Sequence, residues 1–236
     1  MRMKNKKIEQ AAARKRHKER LKADRRKEPT LERGYPGLIE KPSILIVCEG
    51  ENTEPSYFNQ FKVTSATVKS VGTGYNTISL VKKAKEIDES EEFDQVWCVF
   101  DKDAFNDHDF NRAIKLAEQY GYGVAYSNQA FEYWLILHLD DHQGGRMNRD
   151  NYNDKINELL KPFHVEYDGG DKECKIVSED FFDILVGTDK KSHRKRVDLA
   201  IERAERIYER LDHFSPAKEE SSTTVFRLVR ELIKYA

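Results

Sequence analysis

The chain reads as an α/β protein: a small, mostly parallel sheet flanked by helices, with a helical layer at its C-terminal end. Three observations predict this. The apolar runs 43–48 and 95–100 lack the alternation of a half-exposed strand, so they suit strands buried on both faces. Stretches with helical spacing separate successive strand-like runs, which implies right-handed crossovers and a doubly wound sheet. Beyond Asp140 the strand-like runs cease and helical ones follow one another.

The first strand is Ser43-Ile44-Leu45-Ile46-Val47-Cys48, and Thr53-Glu54-Pro55 opens a helix carrying Tyr57, Phe58 and Phe61. Pro55 fits the first turn, where its missing N–H costs nothing. A short strand is expected over 67–71, then a helix capped by Asn76 or Thr77 with Ile78, Leu80, Val81, Ala84 and Ile87 on its apolar face. Gln95 to Phe100 is another strand, residues 109–120 a helix ended by Gly121, and Gly123 to Tyr126 a further strand leading into a helix from Phe131 to Leu139. Gly144-Gly145 and Gly169-Gly170 bracket a short helix at 152–160. Helices at about 178–186, 190–210 and 222–235 complete the reading, with Ser221, Ser222, Thr223 and Thr224 as cap candidates for the last.

Composition divides the 236 residues unevenly. Residues 1–30 hold 13 Lys/Arg against 4 Asp/Glu, and the other 206 hold 28 against 38. A basic arm (1–28) thus precedes a Pro/Gly-rich linker (29–42) with Pro29, Pro36, Pro42, Gly34 and Gly37, an α/β core (43–140) and a helical part (141–236) packed on it. The arm has too little apolar surface to fold alone, and reads equally as a solvated tail or as a segment that turns helical against a polyanion. No apolar run is long enough to span a membrane, and none follows the N-terminal charges as a signal peptide would require. Cys48, Cys98 and Cys174 fit neither a disulfide framework nor a zinc knuckle. A reducing cytoplasm is the expected location.

Ligands of open parallel sheets bind beyond the carboxyl ends of the strands. Acids arrive there from three segments: Glu49, with Glu51 and Glu54 close behind; Asp101 and Asp103; and Glu132. Carboxylates that converge repel one another, and a hard divalent cation such as Mg²⁺ relieves this with oxygen ligands. Glu54 has a second reading as an acid at the positive end of its helix. Asp107 and Asp109 read as first-turn helix residues, and Lys102 as a solvated charge rather than a phosphate contact.

These residues carry a resemblance. Ile44-Leu45-Ile46-Val47-Cys48-Glu49-Gly50-Glu51-Asn52-Thr53-Glu54-Pro55-x-Tyr57-Phe58 resembles the opening motif of the RloB-like (AbiLii-type) proteins, and Val96-Trp97-Cys98-Val99-Phe100-Asp101-x-Asp103 their second. Ser127-Asn128-x-x-Phe131-Glu132-x-Trp134-Leu135-x-Leu137-His138 resembles the third, and Ser222-Thr223-Thr224-Val225-x-x-Leu228-Val229 the closing one. The resemblance implies a Toprim-like (Rossmann-like) core, shared with topoisomerases, primases and OLD-type nucleases, and a part in phage defence beside an AAA-type ATPase. It implies that Glu49 is a metal ligand or general acid/base, that Asp101 and Asp103 form the Asp-x-Asp metal pair, and that Glu132 matches an acid near a second metal. No topoisomerase-type tyrosine domain or primase-type zinc ribbon accompanies them, which favours hydrolysis.

His138 and His142 share helical spacing, but Leu139 stands where a metalloprotease needs Glu, so a structural or phosphate-contacting role for His138 is favoured over zinc. Lys190, Lys191, His193, Arg194, Lys195 and Arg196 read equally as a solvated face or as a phosphate-gripping ridge. Tyr133 and Trp134 read as core, and Cys48 and Cys98 as buried thiols. The expected function is a Mg²⁺- or Mn²⁺-dependent nuclease cutting DNA or a structured RNA such as tRNA. Glu49, Asp101, Asp103 and Glu132 would form its centre, while Arg14, Lys15, Arg16, Lys190, Lys191, Arg194 and Arg196 would bind nucleic acid. The alternative is a non-catalytic nucleic-acid- or nucleotide-binding partner of the ATPase; whether the chain forms a homo-oligomer stays open.

Overall fold

The computed structural model describes residues 41–64, 67–74, 76–103, 106–169 and 175–236. The basic arm, most of the Pro/Gly-rich linker, Gly170 and Cys174 lie outside them. Within the described part a five-stranded sheet runs β2-β1-β3-β4-β5, built from β1 (Ser43–Cys48), β2 (Thr67–Gly72), β3 (Gln95–Asp101), β4 (Gly123–Asn128) and β5 (Ser222–Thr223). The first four strands pair in parallel, and β5 lies antiparallel against the end of β4. Because β2 sits on one side of β1 and β3 on the other, the chain reverses its winding between β1 and β3. This is the switch point where open α/β sheets form a crevice.

The apolar run of β1 sorts its side chains onto both faces. Ile44, Ile46 and Cys48 join Val99 and Ala125 against α1 (Thr53–Asn59) and α4 (Glu132–Leu139), while Leu45 and Val47 join Cys98, Phe100 and Tyr126 against α2 (Thr77–Glu91) and α3 (Asp107–Tyr120). Both faces are buried against apolar side chains, so an alternating polar set would have had nowhere to go. On the second face Phe110 meets Phe100 and Tyr126 edge-on, with ring centroids 5.4 and 5.5 Å apart. The first face is thicker, because α5 (Tyr152–Leu160), α6 (Glu179–Val186), α7 (Arg196–Tyr208) and α8 (Val225–Ile233) add their apolar sides to it. Helix α4 is buried from Tyr133 to His138. That fits its continuous apolar sequence, since a helix with no polar face belongs inside. The mostly parallel sheet, flanking helices and C-terminal helical layer are a Toprim/Rossmann-like fold.

Two local expectations are corrected. Ser222 and Thr223 do not open the last helix: they pair with Asn128 and Ser127 as β5, and α8 begins at Val225. Covering the free edge of β4 satisfies its backbone groups, and Thr223 Oγ1 still accepts the Val225 amide at 3.2 Å. The basic run also does not begin a helix. Thr188 and Lys195 form an antiparallel bridge around a tight turn, in which the Asp189 carboxylate accepts the amides of Lys191 and Ser192, so α7 starts only at Arg196.

Phe110→Ala should lower unfolding stability by about 3–5 kcal/mol, the range for emptying a fully buried aromatic site. Urea-unfolding midpoints of the two proteins test this.

Candidate functional site

The switch-point crevice is lined by acids. A cavity of about 400 Å³ is bounded by Glu49, Glu51, Glu54, Asp101, Asp103 and Glu132, with Arg149 and Lys175. Glu49 directly continues β1. Its amide donates to Val99 O at 2.9 Å and its carbonyl accepts from Gly74 at 3.0 Å, so the residue is pinned between β3 and the turn after β2. Gly72 allows that turn to close: a Cβ there would lie 2.5 Å from Glu51 Cα and 2.6 Å from Gly50 O. Asp101 ends β3, in register with Ser127 of β4.

Backbone amides then tie the acids together. The Asp101 amide donates to Glu49 Oε2 at 3.2 Å, and the Phe131 amide to Asp101 Oδ2 at 3.1 Å. Glu54, in the first turn of α1, accepts the Gly50 amide at 3.2 Å. Glu132, the first residue of α4, accepts the Tyr167 hydroxyl at 3.1 Å and stands 3.5 Å from Lys175 Nζ. Thr53 braces this corner by donating to the Lys175 carbonyl at 3.1 Å. Asp103, nearer the rim, has Arg149 at 3.6 Å.

The packing is electrostatically costly. Burial, with the charges of Asp103 and Glu54 adding to it, pushes Glu49 up to about 7 in spite of the Asp101 amide. Burial first, then Glu54, Glu132 and Glu49, push Asp101 well above the carboxylate range, with Arg149 opposing. Glu54 is likewise pushed up by burial and by Glu132, with Lys175 opposing. Among the described residues, no group of three His, Cys, Asp or Glu side chains stands in a coordination set. The carboxylates share a cleft rather than a shell. Their chemistry is nonetheless uniform, an all-oxygen hard-donor set of the type that suits Mg²⁺ or Mn²⁺.

Glu49, Asp101, Asp103, Glu132 and Glu54 are therefore brought together, and other candidates are not. His138 is buried in the first-face core, its Nε2 3.2 Å from the Tyr57 hydroxyl and its Nδ1 3.0 Å from Trp134 O. Burial pushes its pKa down to about 3, so the ring is neutral and serves packing, not phosphate. His142 pairs with the Tyr133 hydroxyl instead. Arg196 is no surface cation: it is 7% exposed, donates to Ile184 O at 2.8 Å and lies over the Phe163 ring, fastening α6 to α7. Arg194 is forked onto Glu202, whereas Lys190 and Lys191 remain exposed in the turn. Lys102 is a largely covered ion-pair partner of Asp107 at 3.3 Å rather than a solvated charge. Arg14, Lys15 and Arg16 lie outside the described residues.

Arg149, Lys175 and Tyr167 were not foreseen. No periodicity or motif marks them, since they reach the cleft from the segment between α4 and α6. The one usable signal was indirect, as a nest of buried acids needs counter-charge from somewhere.

The raised proton affinities carry a pH dependence. Between the ordinary glutamate value near 4.5 and the folded value near 7, the folded state holds a proton on Glu49 that the unfolded state has lost. Stability from this group is therefore present at low pH and falls as pH rises through that window. In EDTA, Glu49→Gln should gain stability over the parent at pH 8 but not at pH 4.5, as read from urea midpoints. Added Mn²⁺ should raise the parent's midpoint at pH 8.

No curated protein and no solved structure matches this chain. A family model described as RloB-like protein matches residues 44–232, from the first residues of β1 to the end of α8. With a match over most of its length, the chain belongs to the RloB-like protein family.

Proposed function

We propose that this chain is a metal-dependent nuclease of phage defence, hydrolysing phosphodiesters in DNA or in a structured RNA such as tRNA. Family membership supports the broader statement, a Toprim-type, nuclease-like activity in antiviral defence. One observation carries the finer one: acids from three successive segments, Glu49, Asp101 and Glu132, share the switch-point cleft, where burial makes the charges of Glu49 and Asp101 expensive.

Glu49, Asp101 and Asp103 would hold Mg²⁺ or Mn²⁺, with Glu132 supporting a second ion. When bound, such a cation polarises the scissile phosphate and activates water for attack. The chain's own groups do the rest. Glu49 would either ligate the ion or take the proton of the attacking water, and the Asp101 amide fixes its orientation for both roles. The Phe131 amide does the same for Asp101. Lys190, Lys191 and the cations of the arm, Arg14, Lys15 and Arg16, would supply salt-sensitive affinity for the phosphate backbone.

Purified protein incubated with DNA and with tRNA, in Mn²⁺ or in EDTA, tests the reading. Product should form with Mn²⁺ and vanish with chelator. Asp101→Asn should lower the rate at least about a hundredfold while keeping the parent's circular dichroism and a urea midpoint no lower than the parent's. Undiminished cutting by that variant defeats the assignment. Absence of product from either nucleic acid, with an AAA-type ATPase supplied, would make the chain a binding partner instead.

A further inference from the structure

Among the described residues, two cations line the cleft, Arg149 and Lys175, and they divide its acids between them. Arg149 pairs with Asp103, and its field also acts on Glu49 and Asp101. Lys175 pairs with Glu132 and acts on Glu54. The side of the cleft that would hold the first cation thus already contains one positive charge, borne by a side chain.

That side chain is loosely held at its tip and firmly held at its base. The guanidinium stands 3.6 Å from Asp103 Oδ2, longer than a hydrogen bond, and is 42% exposed. Arg230 makes a useful contrast, forking both oxygens of Glu205 at 2.8 and 2.7 Å. The Arg149 backbone, however, is anchored. Its amide donates to Gln129 Oε1 at 3.0 Å, and the Gln129 side-chain amide donates to Glu220 at 2.8 Å. Gln129 follows directly on β4, so the Cα of Arg149 is referenced to the sheet while the long side chain retains freedom to turn. Guanidinium is also the side chain best shaped to grip a phosphate, through two parallel N–H bonds.

We infer that Arg149 is an exchange residue: it occupies the charge position of the divalent cation at Asp103 in the unloaded protein, and turns to clamp the substrate phosphodiester once that cation has entered. The inference rests on the proposed metal-dependent reading and adds to it a substrate-gripping residue that also opposes premature metal loading. A divalent ion beside Asp103 repels the guanidinium, while an incoming phosphate attracts it, so the two events favour each other.

Titration of the full-length protein with Mn²⁺ alone, followed by calorimetry or by the loss of free-Mn²⁺ paramagnetic signal, provides a readout independent of cleavage. Arg149→Gln should bind Mn²⁺ about tenfold more tightly than the parent at low ionic strength, as expected for removing a unit charge about 6 Å from a divalent ion across water-like dielectric. The same variant should show a raised KM for nucleic acid with a smaller change in kcat, and Arg149→Lys should fall between the two in Mn²⁺ affinity and KM. Unchanged or weaker Mn²⁺ binding by Arg149→Gln overturns the inference and leaves the metal-dependent reading standing. Failure of the parent itself to bind Mn²⁺ defeats both.

Discussion

The structure is organised around a repulsion. Register pairing of β1 with β3 carries Glu49 and Asp101 to adjacent strand ends, and the helices that follow deliver Glu54 and Glu132 to the same opening. Nothing about folding requires acids there. Neutral side chains of similar size would bury at lower cost, because a charge taken out of water must be compensated by partners. The chain compensates in part, with backbone amides on Glu49, Asp101 and Glu54 and with cations at Asp103 and Glu132. The remainder is expressed as raised proton affinity at Glu49, Asp101 and Glu54.

The backbone is arranged to hold that cost in place. The Glu49 main chain hangs between β3 and the turn after β2 by its own N–H and C=O bonds, so the position of its Cα does not depend on its charge state. Below the opening, both faces of the sheet are filled by aromatic and branched side chains, which makes the floor of the cleft rigid. The rim differs. Asp103 and Arg149 are partly exposed there.

Much of this was legible in the sequence. Unbroken apolar runs identified β1 and β3, and the acids just beyond them could be placed at the sheet's carboxyl edge, where Glu49, Asp101 and Glu132 do meet. Helix ends written in local chemistry also read correctly, such as Gly121, which closes α3 in the left-handed conformation. What escaped depended on distant partners. Two residues are too few for β5 to show a period, and Ser222 and Thr223 look like caps until the edge of β4 is known. Arg196 looked like surface charge because its carbonyl and ring partners, Ile184 and Phe163, are set by tertiary packing. Arg149 and Lys175 escaped for the same reason, each being defined by an acid far away in the chain.

The pairing of β5 with β4 also bears on how the molecule assembles. Ser127 and Thr223 join across 96 residues, and Gln95 reaches Glu231 across 136. Contacts this remote close large loops before any reward is gained, which slows folding and raises its cooperativity. The sheet that positions the acids is therefore closed by β5, a segment 96 residues further along the chain than the strand it meets, and without it the outer edge of β4 would lose its pairing at Ser127 and Asn128.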